Sequence, residues 1–322
     1  MGFGQERYPS RAFSFHLFYF DVMALIHIQN AGVEASILLD VGGRIVSFHR
    51  VGKPNVLESD PSLWEESERL HPAPDMLDFR AYNGHEVWVG PQSQWWRQQD
   101  LNPEKYDSDL FWPPDPYVSF GKYEVVEQSA HFVTIVGEPS PLSGVRMTKR
   151  VTIEADGSLF FEVTAQNVRQ TPVSWDLWLI TRVNGHNPNF VPVASEKDVF
   201  LGEPSHPYQG RPTYKVENGF FSFTPLVNDG RFEECTGKAY IKASKPMIIT
   251  HCGDECLTLE FEHHDPASIH PEQAEIELYN FVHKEAAKSL LELEYHSPYV
   301  TLQPGERMST WSRWRLTPLK LA

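Results

Sequence analysis

Cysteine is scarce in this chain: Cys235, Cys252 and Cys256 are the only three in 322 residues. So few, so unevenly placed, they exclude a disulfide framework as the source of stability. Long apolar runs are missing as well. The most apolar stretch near the start, residues 13–26, is interrupted by His16 and Asp21. It is too short to span a bilayer and is followed by no small-residue cleavage site. No membrane association is expected, and a cytoplasmic location follows as the default. Basic residues are in deficit, 28 Lys and Arg against 43 Asp and Glu, for a net charge of −15. That balance argues against nucleic acid or an anionic membrane surface as partner. Nucleophile-elbow, P-loop and dinucleotide-binding motifs are absent too, as are repeats, low-complexity tracts and linkers that would divide the chain.

What the chain has is strand-like alternation. With 41% hydrophobic residues, 25 Pro and 20 Gly, the composition is that of a turn-rich globular protein. The clearest unit is Gly144–Asn167. Val145, Met147, Val151 and Ile153 share one parity, Ala155-Asp156-Gly157 makes a turn, and Leu159, Phe161, Val163 and Ala165 resume the parity. Similar runs cover Ala35–Arg50, Tyr117–Val136, Val173–Val183, Tyr214–Phe223, Lys238–Cys252, Leu257–His263, Glu275–His283, Leu290–Tyr295 and Met308–Leu316. Only Pro61–Leu70 and Lys284–Leu290 suggest helix. Many antiparallel strands without covering helices imply packed sheets. The fold class expected is all-β, a large antiparallel sandwich over residues 23–322, with residues 1–22 an N-terminal extension ahead of the strand that Met23 opens.

Four of nine tryptophans, Trp88, Trp95, Trp96 and Trp112, fall within 25 residues among Pro, Gln, Asn, Asp and His. Aromatic rings beside amides and carboxylates suit a ligand with apolar C–H faces and many hydroxyls, most simply a sugar; packing of a long loop onto a sheet would use the same rings. Strand parity adds candidates. In Val173–Val183, Asp176, Trp178 and Arg182 share the face opposite Val173, Trp175, Leu177 and Leu179. Likewise Glu292, Glu294 and His296 lie opposite Leu291, Leu293 and Tyr295. His251-Cys252, Cys256, His263 and His264 offer soft ligands, but their spacing is not that of a structural zinc site; buried thiols beside a hairpin turn are the expectation.

Three motifs carry a family resemblance. Gly42-Gly43-Arg44-Ile45-Val46-Ser47 resembles an early strand, and Leu302-Gln303-Pro304-Gly305-Glu306 before Trp311-Ser312-Arg313-Trp314 resembles a terminal turn and strand, of the galactose mutarotase-like (aldose 1-epimerase) superfamily. Gly84-His85-Glu86-Val87-Trp88-Val89-Gly90-Pro91-Gln92 with Trp112-Pro113-Pro114 is similar to a bacterial branch of it defined by a domain of unknown function. The resemblance runs over roughly residues 24–318.

It implies a β-supersandwich that holds a small-molecule carbohydrate, and general acid/base chemistry that needs no cofactor or metal. In such epimerases a late-strand Glu takes the proton of the anomeric hydroxyl, and a mid-chain His serves the ring oxygen. Glu294 matches the base, with Glu292 as the fallback. The acid has no direct match; His186, in the turn after Val173–Val183, and Asp176 are the candidates. Arg80, His85, Trp88, Gln92, Trp95, Trp96, Trp178 and Arg182 are the expected sugar contacts, the two arginines making an acidic sugar or sugar phosphate a reasonable substrate. The alternative is a sugar-binding module that kept the groove and lost the acid.

Overall fold

The computed structural model describes residues 24–65, 70–106, 112–202, 213–224, 230 and 233–319. The expected N-terminal extension therefore lies outside the described residues. The first half holds β1 (Leu25–Asn30), β2 (Val33–Leu38), β3 (Arg44–Arg50), α1 (Pro61–Glu65), β4 (His85–Gly90) and α2 (Pro116–Phe120). Next come β5 (Tyr123–Gln128), β6 (Phe132–Gly137), β7 (Val145–Ile153), β8 (Leu159–Asn167), β9 (Val173–Asn184) and β10 (Asn189–Pro192). Then follow β11 (Val199–Leu201), β12 (Thr213–Glu217), β13 (Phe220–Thr224), β14 (Glu234–Ile241) and β15 (Met247–Cys252). The last five are β16 (Glu255–Phe261), β17 (Ile276–His283), β18 (Leu290–His296), β19 (Val300–Leu302) and β20 (Arg307–Pro318).

These strands form two antiparallel ten-stranded sheets. The front sheet runs β1-β2-β3-β4-β9-β18-β17-β14-β11, with β19 on the end of β9; the back sheet runs β12-β13-β10-β15-β16-β20-β8-β7-β6-β5. The architecture is the all-β supersandwich the sequence implies. Rings from both sheets meet between them: Phe261 of β16 stacks on Tyr295 of β18 at 4.4 Å, and Trp314 of β20 meets Phe48 of β3 edge-on at 5.6 Å.

The β7–β8 hairpin forms in the register that the parity requires, Ile153 opposite Leu159, with Gly157 at φ +80° in the turn. At the other end of the chain, the Leu302–Glu306 turn closes on itself, because the Glu306 carboxylate accepts the Gln303 backbone N–H at 2.7 Å.

Several expected runs are cut where turn chemistry overrides alternation. Tyr117–Phe120 is helical rather than extended, because Asp115 caps the Tyr117 N–H and Pro116 sits at the first helical position. Lys238–Cys252 is two strands in different sheets, β14 and β15, and Ala35–Arg50 is β2 and β3 joined through Gly42 and Gly43, both at positive φ. The helix expected over Lys284–Leu290 shrinks to a single 3-10 turn, Ala286–Lys288, before β18 begins.

The two sheets differ in what they bury. In β7, β8, β16 and β20 buried and partly exposed residues alternate, so one face meets solvent. In β4 and β18 every residue is buried, and in β9 nearly every one. Something must cover the outer face of the front sheet, and that is where the tryptophan-rich segment lies.

Candidate functional site

Direct cross-strand partners share a face, so the register of β4, β9, β18, β17 and β14 sorts the outer face into rows. One row is Trp88, Trp178 and His296; the next is Glu86, Ile180, Glu294, Glu277 and Tyr240; the third is Arg182, Glu292, Tyr279 and Lys238. Over these rows opens a cleft of about 700 Å³. Trp88, Trp178, Trp112, Gln92, Gln273 and Tyr240 are part of its wall, together with Lys238, Tyr279 and the carboxylates Glu272, Glu277 and Glu292.

At its floor is a charged cluster. Lys238 Nζ reaches both oxygens of Glu294 at 2.9 and 2.8 Å and Glu277 Oε2 at 2.8 Å. Trp178 Nε1–H donates to Glu294 Oε2 at 2.7 Å. His296 lies between two acids, Nε2 3.5 Å from Glu277 Oε1 and Nδ1 3.6 Å from Asp176 Oδ1. The Gln273 side-chain amide is 2.9 Å from His296 Nδ1. Gly90 is required here: a Cβ would come within 2.5 Å of both Asp176 Oδ1 and Gln273 Nε2. A second cluster adjoins it, in which Arg182 pairs with Glu86 and, through Nε at 2.7 Å, with Glu292, while Arg44 holds the other oxygen of Glu86 at 3.0 Å.

These neighbours set the protonation states. Burial raises Glu294 to about 7, aided by Glu292 and Glu277 and opposed by Lys238. Glu277 goes the other way: burial would raise it, but Lys238 and His296 hold it near 2. Of the two carboxylates sharing one ammonium, Glu294 therefore takes the proton first. Burial works against a charged His296, yet Glu277 and Asp176 lift it to about 9, so it is an imidazolium at neutral pH. The Gln273 amide nitrogen is the atom placed against Nδ1, so an imidazolium, which donates at both nitrogens, requires that amide to exchange its nitrogen and oxygen.

Only part of the expected site is gathered here. Trp88, Gln92 and Trp178 are in the cleft wall. Glu294 and Asp176 lie beneath it, each with no exposed surface. Trp95 stands behind the wall, stacked on Trp178 at 6.2 Å and donating its N–H to the Val89 carbonyl. Trp96 turns away to a separate small cavity, under the Lys105 ammonium at 4.1 Å. Arg182 is buried between its two carboxylates, and Arg80 is half-buried in the segment before β4, away from the cleft wall.

His85 is not in the cleft. It has the parity of Val87 and Val89, bonds Thr181 Oγ1 at 2.9 Å and packs edge-on against Phe161 and Trp314 of the back sheet. His186 is exposed in a turn at the far end of β9, eight residues beyond Trp178. Sequence reading missed Lys238, Glu277 and Tyr279 as site groups. Their shared parity on β14 and β17 was visible, but the pairing of β14 with β17 was not. His296 was placed on the right face and given no role.

Glu277, Glu294 and His296 could in principle hold a metal ion, their ligand atoms lying within 4.8 Å of one another. The Lys238 ammonium already takes the cation's place between the two carboxylates. The three cysteines form no disulfide; Cys252 and Cys256, expected as buried thiols, are only partly buried, and His263 bonds Glu275 at 2.8 Å rather than a sulfur.

Residues 23–317 match a family described as a domain of unknown function (DUF4380). The chain belongs to that family. No match was found among curated proteins. Among solved structures, a galactose mutarotase-like protein from Lactobacillus casei superposes with a TM-score of 0.57 at 13% identity, covering 91% of this chain and 100% of that one. The Slr1438 protein from Synechocystis gives 0.55 at 12% identity, over 99% and 100% of the two chains. A galactose mutarotase-like protein from Clostridium acetobutylicum gives 0.52 at 12%, over 94% and 97%. The fold of this DUF4380 member is thus galactose mutarotase-like; at such identities the likeness is one of fold. Among the described residues, no helix is long and apolar enough to cross a membrane.

Proposed function

We propose that this protein is a carbohydrate-active enzyme of the mutarotase or epimerase type, with Glu294 as general base and His296 as general acid. The observation that carries the reading is the adjacency of a carboxylate raised to about 7 and an imidazolium raised to about 9 beneath an aromatic cleft. Interconverting anomers takes a proton from the anomeric hydroxyl and gives one to the ring oxygen. Both oxygens hang on one carbon, so the groups that serve them must be neighbours, as Glu294 and His296 are on β18.

The carboxylate of Glu294 removes the hydroxyl proton while His296 protonates the ring oxygen. The ring C–O bond breaks, a carbonyl forms, and rotation followed by the reverse transfers closes the other anomer. Asp176 is then a positioning residue that keeps the imidazole charged, in place of the acid role expected for it. Trp178 and Trp88 supply the surface for the sugar's C–H faces.

A second reading rests on one specific observation. Glu294 and His296 are both buried, Glu294 against Lys238 and Trp178 and His296 between Glu277 and Asp176. A sugar reaches them only by taking the place of one of those partners. If none does, the cleft binds sugar without turning it over. Saturation-transfer and exchange NMR with aldoses separates the two: faster exchange between α and β anomers supports the enzyme, and saturation transfer without it supports the binding module.

A further inference from the structure

Resting on the carbohydrate reading, we propose that the cleft selects a cationic amino sugar, a hexosamine-type ring with a free ammonium, over neutral or anionic sugars. Five aromatic rings form its wall, Trp88, Trp112, Trp178, Tyr240 and Tyr279, joined by three carboxylates, Glu272, Glu277 and Glu292. Among the described residues, the single cation of the wall is Lys238. That charge is already spent: Glu277 and Glu294 each hold it within 2.9 Å.

The two arginines that would favour an anionic sugar do not serve one. Arg182 is enclosed by Glu86 and Glu292, and Arg80 is not part of the wall. A carboxylate or phosphate entering here would face Glu272, with Glu277 and Glu292 already matched to Lys238 and Arg182, and among the described residues no unpaired cation of the wall.

An ammonium meets the opposite conditions. The rings already accommodate one, since Lys238 Nζ lies 5.0 Å from the centroid of Trp178 and 5.7 Å from that of Tyr279. Trp112, at the mouth, is 43% exposed and leaves a ring surface for a second cation. The wall also holds polar groups for hydroxyls, the side-chain amides of Gln92 and Gln273, whereas the buried Trp88 interacts with the Glu86 carboxylate. Those amides suit ring hydroxyls, which is what distinguishes an amino sugar from a simple organic cation.

The test is calorimetric titration of the full chain at pH 7 with glucosamine, glucose, N-acetylglucosamine, glucuronate and tetramethylammonium. Glucosamine is expected to bind about tenfold more tightly than glucose, a preference of the size cation–π contact supplies. N-acetylglucosamine should resemble glucose, and glucuronate should be weakest. Above the amine's own pKa the preference for glucosamine should vanish, and Glu292→Gln should narrow it at pH 7. Glucose or glucuronate binding as tightly as glucosamine overturns the inference and leaves the carbohydrate reading standing. Tetramethylammonium binding with no sugar bound supports the cation site and sinks the carbohydrate reading. Silence from all five overturns both.

Discussion

His85 and His296 are both completely buried, on opposite faces of the same sheet, and their chemistry diverges. On the inner face, burial pushes His85 well below the usual imidazole value, and Lys149 and Arg182 push it further. On the outer face, Glu277 and Asp176 more than cancel the same burial and raise His296 to about 9. Lys149 and Lys238 repeat the contrast. Lys149, on β7 of the back sheet, faces the core, donates to the Gly42 carbonyl at 2.6 Å and is lowered by burial to about 7; Lys238, held by two carboxylates, is raised. Burial alone pushes a basic group toward its neutral form, whereas burial beside an opposite charge keeps it charged at neutral pH. The interior between the sheets is therefore built for packing, and the outer face of the front sheet is built to hold charge.

The sharpest way to break the comparison is to exchange the roles of the two histidines. His296→Asn should slow anomer exchange by about 10²–10⁴-fold, the usual worth of a general acid. His85→Gln should leave exchange unchanged and lower only the thermal midpoint. The pH profile of exchange should rise through about 7 as Glu294 loses its proton and fall through about 9 as His296 loses its own. Histidine NMR should find the His296 ring charged at pH 7 and the His85 ring neutral. A flat profile, or the reverse charge states, would refute the electrostatic account.

Packing should dominate on the inner face. Trp175→Ala, which empties a fully buried site and orphans the Ser143 carbonyl, should cost about 3–5 kcal/mol in denaturant unfolding. Lys149→Met should be milder, and of opposite sign at neutral pH. Between about 7 and the unfolded value near 10.5, the unfolded chain binds the lysine proton and the folded one does not. Wild-type stability therefore gains with rising pH across that window. The variant should be more stable by about 1–4 kcal/mol near pH 7, and that advantage should shrink toward pH 10. Smallest of all, Trp112→Leu at the cleft mouth should weaken sugar binding by about 1 kcal/mol and, since the ring packs on Phe79, Trp88 and Trp95, lower stability by a similar amount.

Much of this fold was legible because period-2 alternation states which residues face inward, as the β7–β8 hairpin and the β18 parity show. Turn chemistry hid the breaks at Asp115-Pro116 and Gly42-Gly43. The site was legible only along single strands. Glu294, Trp178 and Trp88 could be named from their own strands and from the family resemblance. Lys238 and Glu277 become site residues only because β14 pairs with β17 and β17 with β18, partnerships that no local pattern encodes. His85 misled for the complementary reason: it stands in a motif full of site residues, but its parity is that of Val87 and Val89.

The central claim is that Glu294 is a working base rather than a structural acid. Glu294→Gln tests it with two readouts on one sample, anomer exchange by NMR and sugar affinity by calorimetry. Glutamine keeps the shape and can still accept from Lys238 and Trp178, and Glu277 remains to pair the ammonium. The account predicts exchange falling to the uncatalysed rate with affinity retained. Exchange that persists in the variant would contradict it, and so would a wild-type protein that binds the sugar without accelerating exchange at all.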